Sequence, residues 1–336
     1  SWVRDADTVL HAAPDGTGDG SSAAQAGSLP AMVAAAGDGS TAIILAQGTY
    51  AINDALALGV RGPLSLIGAC AAQTTLELGA PIRGAQGSTV QIYGLGLRGP
   101  PSAEEGAKAS AVAMQDVSSF KLMQSIVVAP AGHAVELTDV GEGGGLVLSG
   151  VTIGDELGTW TVDGNLMRTV GNGIHANNAL GTWTVDGNLM HGPISGDGIS
   201  IAGGTANLQI QNNTFGQISG SGLSAQGALG TWTVDGNLMR GPIGGRAMHF
   251  HNQGGTITLN NNTVIGGDGT NSGTNKGILA SGGGAAWTIT NNAVSGTQGE
   301  GPQMGIGVSG LSAQGSLTVS DNTISGVGGV GMGIKD

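Results

Sequence analysis

Cysteine, aromatic side chains and charge are all scarce in this chain. Cys70 stands alone among 336 residues. That excludes an intrachain disulfide and a thiolate metal cluster, leaves the redox compartment open, and makes Cys70 first of all a small hydrophobe. Charged residues make up 10% and aromatics 3%. Lys and Arg number 11 against 23 Asp and Glu, a net charge of −12. Nucleic acid and anionic membranes recruit clustered Lys and Arg, so the balance argues against both. A polyanionic substrate would need a local basic groove, and Arg168, Arg240, Arg246 and Lys276 read as scattered turn residues. No apolar run approaches the ~18 residues of a membrane span. Few windows avoid glycine, and each interior glycine costs a helix about 1 kcal/mol against alanine, which disfavours a helical bundle. The chain opens at Ser1 without an initiator methionine and reads as processed or trimmed.

Glycine is what the chain has in abundance: 66 residues, about one in five against the usual ~7%. No G-X-Y period runs through it, which excludes collagen. The glycines punctuate a repeat. LGTWTVDGNLM occurs unchanged at Leu157–Met167, Leu180–Met190 and Leu229–Met239. Degenerate copies follow, such as NLQIQNNTF (Asn207–Phe215), TITLNNNTV (Thr256–Val264) and LTVSDNTI (Leu317–Ile324). Their late asparagines form a column, Asn165, Asn188, Asn213, Asn237, Asn262, Asn292 and Asn322, spaced by 23, 25, 24, 25, 30 and 30 residues. LVLSGVTI (Leu146–Ile153), FKLMQSIV (Phe120–Val127) and VQIYGLGL (Val90–Leu97) read as older copies without the asparagine.

A second motif alternates with the first: GIHAN at Gly173, GISIA at Gly198, GLSAQ at Gly222, AMHFH at Ala247, GILAS at Gly277, GIGVS at Gly305 and GMGIK at Gly331. Each unit thus holds at least two short period-2 strands separated by Gly/Asn turns. Units of this size that stack ~4.8 Å apart make a parallel β-helix. Inward positions form two apolar columns: Ile174, Ile199, Leu223, Met248, Ile278, Ile306 and Met332, and Trp183, Leu208, Trp232, Ile257, Trp287 and Leu317. The asparagine column is a structural ladder, because side-chain amides hydrogen-bond along such a stack.

The pattern resembles the right-handed parallel β-helix superfamily that includes pectate lyases and many bacterial surface repeat proteins. APDGTGDG (Ala13–Gly20) followed by Leu29–Ile52 is similar to the start of those proteins, where a short helix, here near Leu29–Ala36, caps the core. The next strand is then Ala42–Ala46. The resemblance implies one all-β domain of about ten coils, with residues 1–41 as lead-in and cap and 42–336 as the repeat domain. Right-handedness follows from the resemblance and from the rule for parallel crossovers. The first LGTWTVDGNLM copy sits only 14 residues after the aligned Val151 and lacks the Gly-Ile half of a coil. It reads as an inserted half-coil or loop, a recent duplication, or a fault in the sequence.

Chemistry is sparse. The outward positions of the Gly-Ile strands form two columns. One contains Ala113, Glu136, His175, Ser200, Ser224, His249 and Leu279; the other contains Gln115, Thr138, Asn177, Ala202, Gln226, His251 and Ser281. Glu136, His175 and Ser200 can be written as a Ser-His-acid set, but nothing like the sharp turn that presents such a serine is present. No catalytic residue is assigned; Glu136, His175, Ser200 and His249 are the candidates. His249 and His251 share a face and could hold a metal with one further ligand, although a solvated pair is the simpler reading. His11, His133 and His191 sit beside turns with no partner evident. The aspartates of the VDGN turns, Asp163, Asp186 and Asp235, are turn chemistry first, so calcium could be accommodated in principle but has no support. Trp160, Trp183, Trp232 and Trp287 align with Leu208, Ile257 and Leu317 and should face inward rather than stack on sugars. Thr flanks these positions on the outside, as in Thr231-Trp-Thr233 and Thr256-Ile-Thr258, which suits exposed strands and resembles the flat arrays of ice-binding proteins.

Measured against the superfamily's enzymes, the chain lacks the stacked acids and Arg or Lys base of pectate lyases, the clustered aspartates of polygalacturonases, and the Asp-Pro-His-Glu pattern of alginate epimerases. The reading is therefore a non-catalytic extracellular or cell-surface scaffold, acting in adhesion, glycan binding or as a fibre subunit. Its partners would be surface polysaccharide, or itself by end-to-end stacking. The alternative is a polysaccharide lyase, hydrolase or epimerase working on the outward face of the Gly-Ile strands. No cofactor, nucleic acid or membrane span is implied.

Overall fold

The computed structural model describes residues 3–100, 110–128, 133–138, 145–149, 152–154, 171–227, 229–266, 276–296, 304–313 and 315–335. Strands dominate it. Successive strands run to a first, a second and a third sheet in turn, and the chain then returns to the first one rung further on. The first sheet runs from Thr8–Ala12 to Ser316–Ser320, the second from Gly48–Ile52 to Thr323–Ser325, and the third from Leu56–Leu58 to Val330–Lys335. Among the described residues they hold 12, 11 and 11 strands. Every paired strand is parallel to its neighbour, as in Trp232↔Ile257 and Met248↔Ile278. This is the parallel β-helix, and the stack agrees with the expected ten or so coils. The third strand of each coil, seen in the sequence only as the tail of the asparagine motif, is a sheet of its own.

Period-2 patterning builds the core. In Thr231–Asp235, Trp232 and Val234 are buried while Thr231, Thr233 and Asp235 are not. Trp183, Trp232 and Trp287 are each 1% exposed, so these three tryptophans are core and not a sugar platform. Each fully buried large side chain contributes roughly 1.5–3 kcal/mol through removal of apolar surface from water. The column from Ile174 through Ile199, Leu223, Met248 and Ile278 to Ile306 is likewise buried. Met332 is 43% exposed, because no later rung among the described residues covers it.

In the coils that carry the ladder asparagine, the chain turns between the first and second sheets through one residue with positive φ. That residue is Gly187, Asn212, Gly236, Asn261, Asn291 or Asp321, with φ of 63°, 54°, 65°, 52°, 56° and 57°. Gly, Asn and Asp are the residues that tolerate this region. The next residue is the ladder asparagine. Asn188, Asn213, Asn237, Asn262 and Asn292 are buried, and each Nδ2 donates to the Oδ1 of the next at 2.8–2.9 Å. Each backbone N–H of this series donates to the same oxygen at 2.9–3.1 Å.

At the start of the chain, the helix Leu29–Ala35 buries Leu29 and Met32 against the first coil. It stops one residue short of the expected Ala36, whose backbone is extended. The first coil's strand is Thr41–Leu45, one residue earlier than expected. The lead-in also supplies a strand that the sequence did not suggest: Thr8–Ala12 pairs with Thr41–Leu45. The Tyr50 hydroxyl, within 2.9 Å of Ala12 O and 3.0 Å of Ala46 O, ties that strand down; burial raises its pKa to about 12. Among the described residues no helix is long and apolar enough to cross a membrane.

The copy at 157–167, with Trp160, Asp163 and Asn165, lies outside the described residues. Gly145–Ser149 pairs directly with Thr182–Asp186, and Thr152–Gly154 with Leu189–Ile194. Strand pairing in the first and second sheets is thus continuous across this part of the chain.

Candidate functional site

The outward column of the third sheet has the register read from the sequence. Ala113 pairs with Glu136, Glu136 with His175, His175 with Ser200, Ser200 with Ser224, and Ser224 with His249. Beside it runs a second polar column that sequence reasoning missed. It occupies the position two residues before each inward Val, Ile, Leu or Met, where the chain enters the strand: Ser110, His133, Asn172, Asp197, Ser221 and Arg246. Backbone bonds link its neighbours rung by rung, for example Gly173 N–H to Asp197 O at 2.9 Å and Gly198 N–H to Ser221 O at 2.9 Å. The signal was present in the spacing, but all of these positions except Arg246 fall just before the period-2 strands rather than in them. With both columns in place, His133, His175, His249 and His251 bring four of the chain's 6 histidines to this face.

The side chains interlock. Glu136 Oε2 accepts from the Ser110 hydroxyl at 2.7 Å. His133, expected to lack a partner, accepts the Asn172 N–H on Nδ1 at 2.9 Å and stacks on His175 with ring centroids 4.8 Å apart. The ring nitrogens of His175 lie 3.1 Å from Asn172 Nδ2 and 3.2 Å from Asn177 Nδ2. Asn172 Oδ1 accepts the Asp197 N–H at 2.7 Å.

Asp197 is the centre of the cluster. Its Oδ1 accepts the Ser221 N–H at 2.7 Å. Burial pushes its pKa above the usual carboxylate range, while the Ser221 N–H, the nearby Ser224 and Ser200 hydroxyls and His175 pull the other way. Ser200 and His175 are neighbours one rung apart, as read from the sequence, and the ring nitrogens of His175 face asparagine amides.

His249 and His251 have centroids 6.2 Å apart. The Arg246 guanidinium lies 3.1 Å from His249 Nδ1, and His251 Nδ1 lies 3.2 Å from the Ser281 hydroxyl. Among the described residues no three His, Cys, Asp or Glu side chains converge as a metal site would require. Arg246 itself is the first residue of the strand Arg246–Gln253, and Arg240 and Lys276 also belong to strand ends rather than turns. The aspartates of the VDGN turns accept amide bonds: Asp186 Oδ1 from Asn212 at 2.8 Å, and Asp235 Oδ1 from Asn260 at 2.9 Å and Asn261 at 3.2 Å. On the first sheet the Thr register holds, with Thr233, Thr258, Thr288 and Thr318 in one outward row.

Residues 149–336, more than half of the chain, match the family described as "Right handed beta helix region". The chain belongs to this right-handed β-helix family. No curated protein matches it. Among solved structures, this β-helix is similar to the Agl-KA catalytic domain (12% identity, TM-score 0.46), covering 88% of its own length and 62% of that domain. It is also similar to pectate lyase Pel9A (14% identity, TM-score 0.45, 94% of this chain and 78% of that one). A third likeness is to the surface protein and adhesin PfbA of Streptococcus pneumoniae (12% identity, TM-score 0.42, 88% and 91%). Identity this low speaks to the fold alone.

Proposed function

We propose that this β-helix is an extracellular or cell-surface protein that binds polysaccharide along the outward face of its third sheet. The observation that carries the reading is the pair of adjacent polar columns from Ser110 to His249, which runs along the stack for six rungs. The outward column Glu136, His175, Ser200, Ser224 and His249 is half-exposed, whereas Ser110, His133 and Ser221 beside it are buried, and a row of carboxyl, imidazole and hydroxyl groups on that face suits a linear ligand rich in hydroxyls. The net charge of −12 turns polyanionic nucleic acid away. Affinity electrophoresis against a polysaccharide panel tests it. Retardation in at least one gel, weakened by Asn172→Ala with His175→Ala, is the expected result; unretarded migration in all of them sinks the reading.

A second reading, cleavage of the bound glycan, is favoured by one observation: Asp197 is a half-buried carboxyl of raised pKa beside His175. Such pairs are how acid and base roles are set. Release of reducing or unsaturated ends that disappears in His175→Ala and Glu136→Ala would establish it.

A further inference from the structure

His133 and His175 stack with ring centroids 4.8 Å apart and planes 23° from parallel. Asn172 is bonded to both rings. Its backbone N–H donates to His133 Nδ1 at 2.9 Å, and its Nδ2 lies 3.1 Å from His175 Nδ1. Its Oδ1 is committed elsewhere, to the Asp197 N–H at 2.7 Å. That bond fixes which end of the Asn172 amide meets the ring, so Nδ2 donates and His175 Nδ1 accepts. An imidazole nitrogen accepts only while it carries no hydrogen. The arrangement therefore requires two neutral rings with their hydrogens on Nε2. The Asn177 amide beside His175 Nε2 then presents its oxygen to that hydrogen.

We propose that Asn172 is a proton-sensitive tie: it fixes the polar face of the third sheet while His133 and His175 are neutral and releases it when they take up protons. A proton from solvent can add only at Nδ1, the nitrogen without hydrogen, and it occupies the lone pair that Asn172 uses. A charged His133, only 4% exposed, leaves the Asn172 N–H without its acceptor. A charged His175 meets the Nδ2 hydrogens of Asn172 with a hydrogen of its own. Turning the amide over satisfies His175 but takes Oδ1 from the Asp197 N–H, so one amide cannot serve both. Asp197 Oδ1 in turn accepts the Ser221 N–H at 2.7 Å, which carries the disturbance one rung further. This device goes beyond the polysaccharide reading and does not depend on it.

The surrounding charges set the order of release. Glu136 stands one rung before His175 in the outward column, and Asp197 acts on His175 from the entry column. Arg83 is two rungs before Glu136. In its own column His133 lies between Ser110 and Asn172, both uncharged. The carboxylates favour a charge on half-exposed His175, whereas burial disfavours one on His133. His175 therefore yields first as pH falls through the ordinary imidazole range, about 6.5. His133 follows at lower pH, against a ring already charged 4.8 Å away. The tie is complete above that range and is lost on descent through it.

Two amides report the two rings separately: the Asp197 N–H reports His175, and the Asn172 N–H reports His133. Hydrogen exchange followed by NMR, corrected for the intrinsic effect of pH, measures their protection. The expected result is a loss of about tenfold at each between about pH 8 and about pH 5, the equivalent of one hydrogen bond, with Asp197 responding first. Asparagine keeps an acceptor oxygen near the place of Nδ1 and does not titrate. His175→Asn should thus hold Asp197 protected in acid while Asn172 still opens, and His133→Asn the reverse. Imidazole nitrogen chemical shifts of the wild-type chain at neutral pH read the tautomers directly and serve if a variant fails to fold. Hydrogen on Nε2 in both rings is expected; hydrogen on Nδ1 in either overturns the tie. Protection that does not change with pH overturns it too, as does a loss that is equal in wild type and both variants.

Discussion

At the scale of single residues, the asparagine ladder and the Asp197 cluster solve one problem in two ways. Each must place polar groups where water is scarce without leaving them unpaired. Asn237 does so completely. Its Oδ1 takes the Asn213 N–H and Nδ2, and its own Nδ2 lies within reach of Ile210 O, Asp235 O and Asn262 Oδ1. Asn237→Ala should therefore cost about 3 kcal/mol, because it orphans buried groups on both adjoining rungs. Asn322→Ala, at a partly exposed position, should cost clearly less. Chemical denaturation of the two variants checks the difference, and equal losses would mean that the ladder is not what holds these turns.

At the scale of the element, the turn between first and second sheets is where the sequence varies most and the geometry least. Asp-Gly-Asn, Gln-Asn-Asn and Asn-Asn-Asn all deliver a positive φ followed by the ladder amide. Gly236→Ala should destabilise by about 1 kcal/mol or more, since φ is 65° and a Cβ there would come within 2.8 Å of Asn212 Oδ1. A shift in the denaturation midpoint at constant m-value would confirm it. This constancy is why the architecture was legible in the sequence: inward columns, ladder and outward register all repeat, so an error on one coil is corrected by the next. The site was only half legible. Glu136, His175, Ser200 and His249 lie in strands and were read in register. Asp197, Asn172 and His133 lie in turns, where no alternation marks direction, and what matters about them is which neighbour their side chains meet. The strand Thr8–Ala12 escaped for a related reason, because it occurs once and nothing in the repeat announces it.

At the scale of the whole molecule, coils are nearly interchangeable modules that touch only the coil before and the coil after. Removing residues 231–255 should leave a folded protein, since it brings Thr256 to the rung after Asn207 and Asn262 next to Asn213 with the Asp197 cluster intact. Removing residues 207–230 keeps the same apolar columns but sets Asp235 one rung from Asp186 and strips Ser221 from Asp197. The second deletion should melt at the lower temperature, most markedly at low salt, where like charges are least screened. Matching melting curves at low and high salt would show that the acids are indifferent to each other.

The amide bonds to Asp186 and Asp235 also bear on how such a chain can lengthen. A carboxylate on one rung is satisfied by an amide donor on the next, so the fold tolerates two kinds of unit in alternation better than one kind in succession. The identical runs Leu180–Met190 and Leu229–Met239 are separated by a unit whose Asn212 supplies the donor for Asp186, and Asp235 takes its donors, Asn260 and Asn261, from the unit that follows. Growth by copying is therefore constrained: the length of chain that can be duplicated without penalty is two coils, an acceptor and its donor, and a single copied coil survives only if its aspartate is replaced or kept off its twin.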